Sequence, residues 1–165
     1  MIKFIGCIMI ISSAGYAGFY QADKLVKKLK ITKKLYRMAC EIVIMLNCSY
    51  LTVGEIISRL NSCSEFDELD FIKADPDSLT LRNDIRKKIK NSVCLADFKD
   101  EKTIIENFFM ELGTTEISGQ LALAELFKKE LSEQIEKLSE QSAKKCRLYR
   151  AMGILGGTFA AVMLI

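Results

Sequence analysis

Apolar residues recur every three or four positions over the last third of the chain, from Thr115 to Ile165. This spacing is typical of one face of an α-helix. The inward positions of that face are Ile117, Leu121, Ala124, Phe127, Leu131, Ile135, Leu138, Ser142, Cys146, Tyr149, Met152 and Gly156. At about 1.5 Å per residue, an unbroken helix of this length would extend for roughly 75 Å. The sequence therefore predicts one very long C-terminal helix.

A second long pattern follows the first apolar run of the chain. Its inward positions at helical spacing are Leu25, Leu29, Thr32, Leu35, Ala39, Ile42 and Leu46. Several lysines and an arginine lie between these positions and form a cationic face, which is typical of an amphipathic helix. We therefore expect a second long helix that lies beside the C-terminal one.

Shorter helices are predicted between these two. Thr52-Val53-Gly54-Glu55 has the form of a capping box, in which a hydroxyl and a carboxylate satisfy backbone N–H groups reciprocally. Asp75 before Pro76 is the pattern of an N-cap residue followed by proline in the first helical turn. The helix after Pro76 is expected to bury Leu81, Ile85, Ile89 and Val93.

The last short helix is predicted to begin at Asp100 and to end before Gly113, a typical C′ residue. Thr114 or Thr115 would then cap the long C-terminal helix. The predicted fold is all-α, a helical bundle of about six helices with a very long C-terminal helix.

Both ends of the chain are apolar. Residues 4–20 and 151–165 carry no charge, whereas charged residues make up 27% of the whole chain. A helix that spans a membrane usually needs about 20 mainly apolar residues. We therefore predict transmembrane helices at 1–21 and 151–165, with a helical domain at 22–150 between them. The alternative is a signal peptide at the N-terminus of an exported, tail-anchored helical protein.

Clusters of cations flank both apolar runs on their inner sides. They comprise Lys24, Lys27, Lys28, Lys30, Lys33, Lys34 and Arg37 after the first run, and Lys144, Lys145, Arg147 and Arg150 before the second. Such clusters mark the cytoplasmic side of a membrane segment, so we expect a cytoplasmic central domain and extracytoplasmic termini. The lysines lack the interleaved aromatic residues of nucleic-acid sites. Anionic lipid headgroups are the expected partner, and no nucleic acid.

The composition excludes several kinds of catalysis. The chain has no histidine and none of the glycine-rich phosphate-binding motifs. Its six cysteines have no metal-ligand spacing. Asp67 and Asp70 in the acidic segment 61–78 suggest either a metal or acid/base pair, or a solvated helix face, and we favour the latter. We expect no catalytic, cofactor-binding or metal-binding residues, no small-molecule substrate, and no enzyme activity.

Several motifs together resemble one known family. The pattern R-L-Y-R-x-x-G-x-L-G-G occupies residues 147–157, with fixed positions at Arg147, Leu148, Tyr149, Arg150, Gly153, Leu155, Gly156 and Gly157. A Leu-Gly pair ending at Gly113 is followed by Gly119 and Gln120. Further matches are Lys3, Ile5, Gly6, Gly18, Phe19, Tyr20, Glu41 and Ile42. With these residues the whole chain resembles the stage III sporulation protein AB family of endospore-forming bacteria.

The resemblance implies a function that the composition alone does not indicate. The family is a component of the channel-like secretion apparatus between mother cell and forespore, and is similar to inner-membrane platform proteins of type II secretion and type IV pilus systems. Its implied partners are a secretion-type ATPase, stage III sporulation protein AA, and other membrane proteins of the apparatus. The central domain would face the mother-cell cytoplasm. Self-association into a homo-oligomer is left open.

The resemblance also defines candidate interface residues. These are Glu41, Gly113, Gly119 and Gln120, together with charged residues of 61–102. For Gln120, a capping or interhelical hydrogen bond is an alternative to partner binding. Family members carry prolines after the first span and before the second helix, but this chain has none at 30–34 or 47–53. The geometry of those two turns is therefore not defined by the resemblance.

Overall fold

The computed structural model describes residues 2–48, 51–75, 80–98 and 101–163. Within these ranges it does not describe the side chains of residues 2–12, 14, 15, 17, 150, 153, 154 and 157–163. The described chain consists of helices and connecting turns. The α-helices are α1 (Ile2–Cys48), α2 (Val53–Asn61), α3 (Leu81–Asn91), α4 (Glu101–Glu111) and α5 (Ile117–Met163), and 3₁₀ turns cover Ser64–Phe66 and Asp70–Ile72. The all-α prediction is confirmed, with five α-helices in place of about six.

The two long helices each contain 47 residues. The predicted long C-terminal helix is confirmed as α5. The predicted N-terminal span and the amphipathic helix after it form one continuous helix, α1. Residues 30–34 therefore lie within a helix and form no turn, and α1 ends at Cys48, just before the residues 49–50 that lie outside the described ones.

The chain divides into two compact units. Residues 31–134 form one, and residues 1–30 with 135–165 form the other. The unit of residues 31–134 contains the main hydrophobic core. Its two long helices supply Leu35, Met38, Ala39 and Ile42 from α1 and Ala124, Phe127 and Leu131 from α5, all buried. Within this unit the helical period identified the buried faces of both helices correctly except at Ile117, which was expected to face inward but is exposed at the start of α5.

Phenylalanines connect the short elements to α5 within this core. The Phe71 and Phe109 rings meet edge to face at 5.8 Å between centroids, and the Phe108 and Phe109 rings do so at 5.3 Å. Phe108 then stacks on Phe127 of α5 at 4.2 Å. Aromatic pairs of this kind contribute about 0.5–1.5 kcal/mol each beyond the area they bury. This cluster joins the second 3₁₀ turn, α4 and α5.

The capping box at the start of α2 is confirmed. The Thr52 N–H donates to Glu55 Oε2 at 2.7 Å, and the Glu55 N–H donates to Thr52 Oγ1 at 3.3 Å. The bonds that the Thr52 N–H and hydroxyl donate to the carboxylate lower the pKa of Glu55. The helix buries Ile56, Ile57 and Leu60, and Val53 packs against the core as a partly buried residue.

The acidic segment after α2 is not simply a solvated face. The Arg37 guanidinium pairs with Glu65, and Lys34 Nζ lies 3.1 Å from Glu68 Oε2. Two cations that the sequence assigned to lipid headgroups are therefore engaged by the acidic segment of the same unit. Phe66, Leu69, Phe71 and Ile72 from this segment are buried, so charge pairing outside and apolar packing inside attach it to α1.

One detail of α3 corrects the sequence prediction, and another lies outside the described residues. The helix begins at Leu81, and residues 76–79, which include the predicted start at Pro76, lie outside the described residues. Ile85 and Ile89 are buried as expected. Val93, however, follows the helix end at Asn91 and is 82% exposed. The helix ends before the period would have buried it.

In the unit of residues 1–30 and 135–165, α1 contacts α5 at Ala22 and Cys146. Cys146 Sγ lies 3.6 Å from the Ala22 carbonyl oxygen, and Ala22 is buried. Large apolar side chains of both helices are exposed between this contact and the chain ends: Tyr16, Phe19, Tyr20, Leu148, Met152 and Leu155. Met152 was expected to face inward, and its exposure corrects that prediction.

Among the residues whose side chains the structure describes, no helix includes a stretch both long and apolar enough to cross a membrane. Much of the two predicted spans, residues 1–21 and 151–165, lies outside those residues. The two membrane helices are therefore not confirmed and stay predictions.

The reversal between α4 and α5 depends on Gly113. Its φ is +78°, a left-handed conformation that glycine adopts at little cost. A Cβ built at Gly113 would lie 2.4 Å from Val53 Cγ2 at the start of α2. Arg82 Nη2 from α3 donates to the Leu112 carbonyl at 3.1 Å. The turn is thus held by both α2 and α3, and the prediction of Gly113 as the C′ residue is confirmed.

Gly113→Ala is expected to lower the free energy of unfolding by about 2–4 kcal/mol, because it combines left-handed strain with a clash against Val53. Urea unfolding of the full chain, followed by circular dichroism at 222 nm, measures the change. Gly156→Ala is the matched control, since no described atom lies within 4 Å of a Cβ at that helical glycine. It should change stability by less than about 1 kcal/mol. Equal effects of the two substitutions would contradict this account of the turn.

Candidate interaction surface

The predicted signature residues Gly113, Gly119 and Gln120 lie at the α4–α5 turn and in the first turn of α5, where local hydrogen bonds hold the chain. The Thr114 hydroxyl donates to the Glu111 carbonyl at 2.7 Å, at the end of α4. Gln120 Nε2 donates to the Thr115 carbonyl at 2.9 Å. A Cβ at Gly119 would approach Thr115 Oγ1 to 2.8 Å. Of the alternatives for Gln120, the structure shows a local hydrogen bond, so these residues shape the turn.

An open groove begins at this turn and has a volume of about 410 Å³. Its lining residues are Glu111, Thr114, Thr115, Gly119, Ala122, Leu123 and Leu126. Gly119 is the signature residue that lies in its wall.

A second hollow, of about 180 Å³, shares Glu111, Leu123 and Leu126 with the first and continues along α4 and α5. The stacked rings of Phe108 and Phe127 line it, and both residues are buried. We refer to the two hollows together as the α4–α5 groove. The groove is lined mainly by apolar side chains and has the concave shape typical of binding sites.

Leu126 is the apolar residue that stands out in the groove. It is 55% exposed although it lies beside the buried Phe127. Leu123 is half-buried and packs against the core. Sequence reasoning missed both leucines because they lie off the inward positions 121, 124, 127 and 131. Apolar residues just outside the inward period of an amphipathic helix were the signal that could have identified them.

Two carboxylates line the groove with these leucines. Glu111 lies at the end of α4, and Glu130 lies one turn beyond Leu126 on α5. No lysine or arginine is among the lining residues of either hollow. Neither glutamate forms an ion pair with any residue that the structure describes. The groove therefore combines an apolar surface with unneutralised negative charge.

The other predicted interface residues lie elsewhere. Glu41 is exposed on α1 and does not line the groove. Several charged residues of 61–102 are engaged within the chain: Glu65 and Glu68 pair with α1, and Arg86 and Lys90 both approach Glu106 of α4. These pairs fix the short helices against their neighbours.

The predicted membrane motif lies near the end of α5. Arg147 and Leu148 are exposed, and Tyr149 is half-buried. Gly156 is exposed, and no described atom lies within 4 Å of a Cβ built there. The side chain of Arg150, as well as Gly153 and Gly157, lies outside the described residues.

Asp70 has a structural role and is not half of a carboxylate pair with Asp67. Its carboxylate accepts bonds from the Ser92 hydroxyl at 2.5 Å, the Val93 N–H at 2.8 Å and the Cys94 thiol at 3.3 Å. Asp67 instead lies 3.5 Å from Lys73. Partial burial, the largest single cause, raises the pKa of Asp70. The hydrogen bonds together lower it by more, so the net shift is downward. Asp70 thus fastens the second 3₁₀ turn to the end of α3.

Cys94, beside Asp70, is unsuited to nucleophilic chemistry. Burial is the main cause that raises the pKa of its thiol to about 11, so the thiol stays protonated at neutral pH. Among the described residues, no group of cysteines and carboxylates has the geometry to hold a metal ion.

The comparison with known families decides the identity of the chain. The family model for stage III sporulation protein AB matches residues 3–165. The chain belongs to the stage III sporulation protein AB family. It has no match among curated proteins or among solved structures. The resemblance drawn from the sequence motifs is confirmed, and membership in this family indicates a role in stage III sporulation.

The bonds of Asp70 predict a pH-dependent stability. Because the folded-state pKa lies below the ordinary value of about 3.9, the carboxylate stabilises the fold above about pH 4. That contribution is lost as the pH falls through the lower folded-state pKa. Asp70→Asn should therefore destabilise the chain by about 1–2 kcal/mol at pH 7, with a smaller difference from the parent chain near pH 3.

Urea unfolding at the two pH values measures this difference. Asp67→Asn is the control, since its exposed ion pair should contribute less than about 0.5 kcal/mol at either pH. A difference between the Asp70→Asn chain and the parent that stays constant from pH 7 to pH 3 would show that the Asp70 carboxylate is not stabilised by folding.

Proposed function

We propose that the chain is a non-enzymatic, membrane-anchored scaffold of the channel-like secretion apparatus between mother cell and forespore, and that it docks a secretion-type ATPase, stage III sporulation protein AA. The observation that carries the proposal is the α4–α5 groove beside the signature turn, in a chain of a sporulation family. The groove offers an apolar, acidic surface. Such a surface suits binding of another protein.

Membrane anchoring is supported by the exposed residues of the unit formed by residues 1–30 and 135–165. Tyr16 is 74% exposed on α1, and Leu155 is 68% exposed on α5. Lys24 Nζ lies 5.4 Å from the centroid of the Tyr20 ring. Tyrosines beside cations are typical of the membrane–water interface. The uncharged segments 4–20 and 151–165 would continue from this level into the bilayer.

The charge distribution supports the orientation. Exposed cations that follow the first apolar segment, such as Lys27 and Lys33, and those that precede the second, such as Lys144 and Arg147, resist translocation. We therefore place residues 22–150 in the mother-cell cytoplasm and both termini outside it. The same cations would bind anionic lipid headgroups.

A topology experiment separates this proposal from an exported, tail-anchored protein. A reporter enzyme that is active only outside the cytoplasm would be fused after Ile165 and, separately, inserted after Asp75. We expect activity from the C-terminal fusion and none from the insertion, because the cationic flanks hold the central residues inside. Activity at residue 75 would overturn the cytoplasmic placement. Immunoblots of both fusions serve as the control for expression.

The ATPase partnership is tested by retention. The full chain, tagged and purified from solubilised membranes of sporulating cells, should retain stage III sporulation protein AA.

The role in sporulation is tested by deletion of the chain, which should abolish late forespore transcription. A chain that ends at Arg150 is the control for anchoring, and it should fail to restore sporulation. Normal spore yield in the deletion strain would contradict the proposed role.

A further inference from the structure

The geometry points to a specific kind of occupant for the α4–α5 groove: we propose that it binds an amphipathic helix of a partner protein, with a leucine-rich face and lysine or arginine beside that face. This inference rests on the proposed function for its biological setting, since it gives the chemistry of the partner that a docking scaffold would bind. The contacts and charges of the groove carry the inference itself.

The apolar part of the groove is suited to binding a large aliphatic side chain of the partner. Leu126 is half-exposed beside the buried, stacked rings of Phe108 and Phe127. Covering such a leucine removes apolar area from water, at about 25 cal/mol per Å². A groove with lining residues from two helices is the shape into which the apolar face of a third helix packs. Residues three and four positions apart on that helix would meet the leucines of α5.

The carboxylates of the groove favour a partner that carries positive charge. Glu111 and Glu130 line the groove, and none of its lining residues is cationic. A partner that covers Leu126 would also move both carboxylates into a less polar environment. If that partner supplied no cation, the negative charges would be desolvated and unpaired, which is unfavourable. Lysine or arginine next to the apolar face would supply the compensation. The charge therefore favours cationic helices over acidic ones.

A second copy of the chain is a poor match for the groove. Within the unit of residues 31–134, Ile44 and Val93 are the strongly exposed large apolar residues outside the α4–α5 region, among the residues that are described. Ile44 stands alone on α1 near the exposed Glu41, and Val93 lies in the turn after α3. Neither belongs to an exposed apolar stripe on a helix, so the described part of this unit offers a second copy no complementary face, and we assign that face to another protein.

Binding of a defined peptide tests the proposal. The full chain would be reconstituted in phosphatidylcholine nanodiscs and titrated against a fluorescein-labelled 18-residue helix with leucines at helical spacing and flanking lysines. Fluorescence anisotropy should report binding beyond that to empty nanodiscs. A peptide with glutamate in place of every lysine should bind at least tenfold more weakly. Equal binding of both peptides, or binding explained by empty nanodiscs, would overturn the proposal.

Matched substitutions locate the binding. Leu126→Ser should weaken binding of the lysine peptide about tenfold or more, whereas Ile44→Ser should leave it unchanged, since Ile44 is 53% exposed and lies outside the groove. Glu111→Lys with Glu130→Lys should reverse the preference, so that the glutamate peptide binds better. Glu133→Lys, at an exposed α5 position outside the groove lining, is the charge control. Equal effects of Leu126→Ser and Ile44→Ser would contradict the assignment.

Light scattering on the same samples tests whether a second copy of the chain occupies the groove. If Leu126→Ser halved the number of chains per nanodisc, obtained by subtracting the mass of lipid and scaffold protein, a second copy would fill the groove and the proposal would be wrong; an unchanged number agrees with it. The test needs neither sporulation nor the ATPase. Peptide binding in the groove without ATPase retention would therefore refute the proposed function alone, and ATPase retention that ignores Leu126→Ser would refute this inference alone.

Discussion

The sharp reversal at Gly113 is the constraint on which the arrangement of the central unit depends. A single left-handed residue, in contact with Val53 of α2 and next to a carbonyl held by Arg82 of α3, sets where α4 ends. The start of α5 follows within a few residues. Because the direction of both helices is fixed there, the rings of Phe108 and Phe127 can stack, and the groove above them has defined walls.

Charge contributes to this unit in two different ways. Where acidic residues face α1 and α3, they meet cations: Glu65 and Glu68 pair with α1, and Glu106 with α3. Exposed pairs of this type contribute little individually, but they orient the connector and the short helices. Glu111 and Glu130 have no such partner among the described residues. The contrast separates charges used within the fold from charges left for another molecule.

The features that the sequence predicted are those encoded locally. The buried faces of α1 and α5 repeat with the helical period, the capping box spans Thr52 to Glu55, and a glycine after an apolar helix indicates a left-handed cap. The features that it missed depend on residues distant in sequence. Asp70 binds the segment that begins at Ser92, and Lys34 pairs with Glu68, so neither the 3₁₀ turns nor their partners have a local signature. Leu126 became a candidate only once the structure showed which side of α5 was left uncovered.

The stacked phenylalanines give the groove a property that its surface alone does not suggest. Phe108 and Phe127 belong to the hydrophobic core and at the same time line the groove. Anything bound over them would therefore make it harder for α4 to separate locally from α5, and backbone amides in both helices would exchange their hydrogens more slowly. Binding in the groove and local separation of α4 from α5 are therefore thermodynamically coupled, since each disfavours the other.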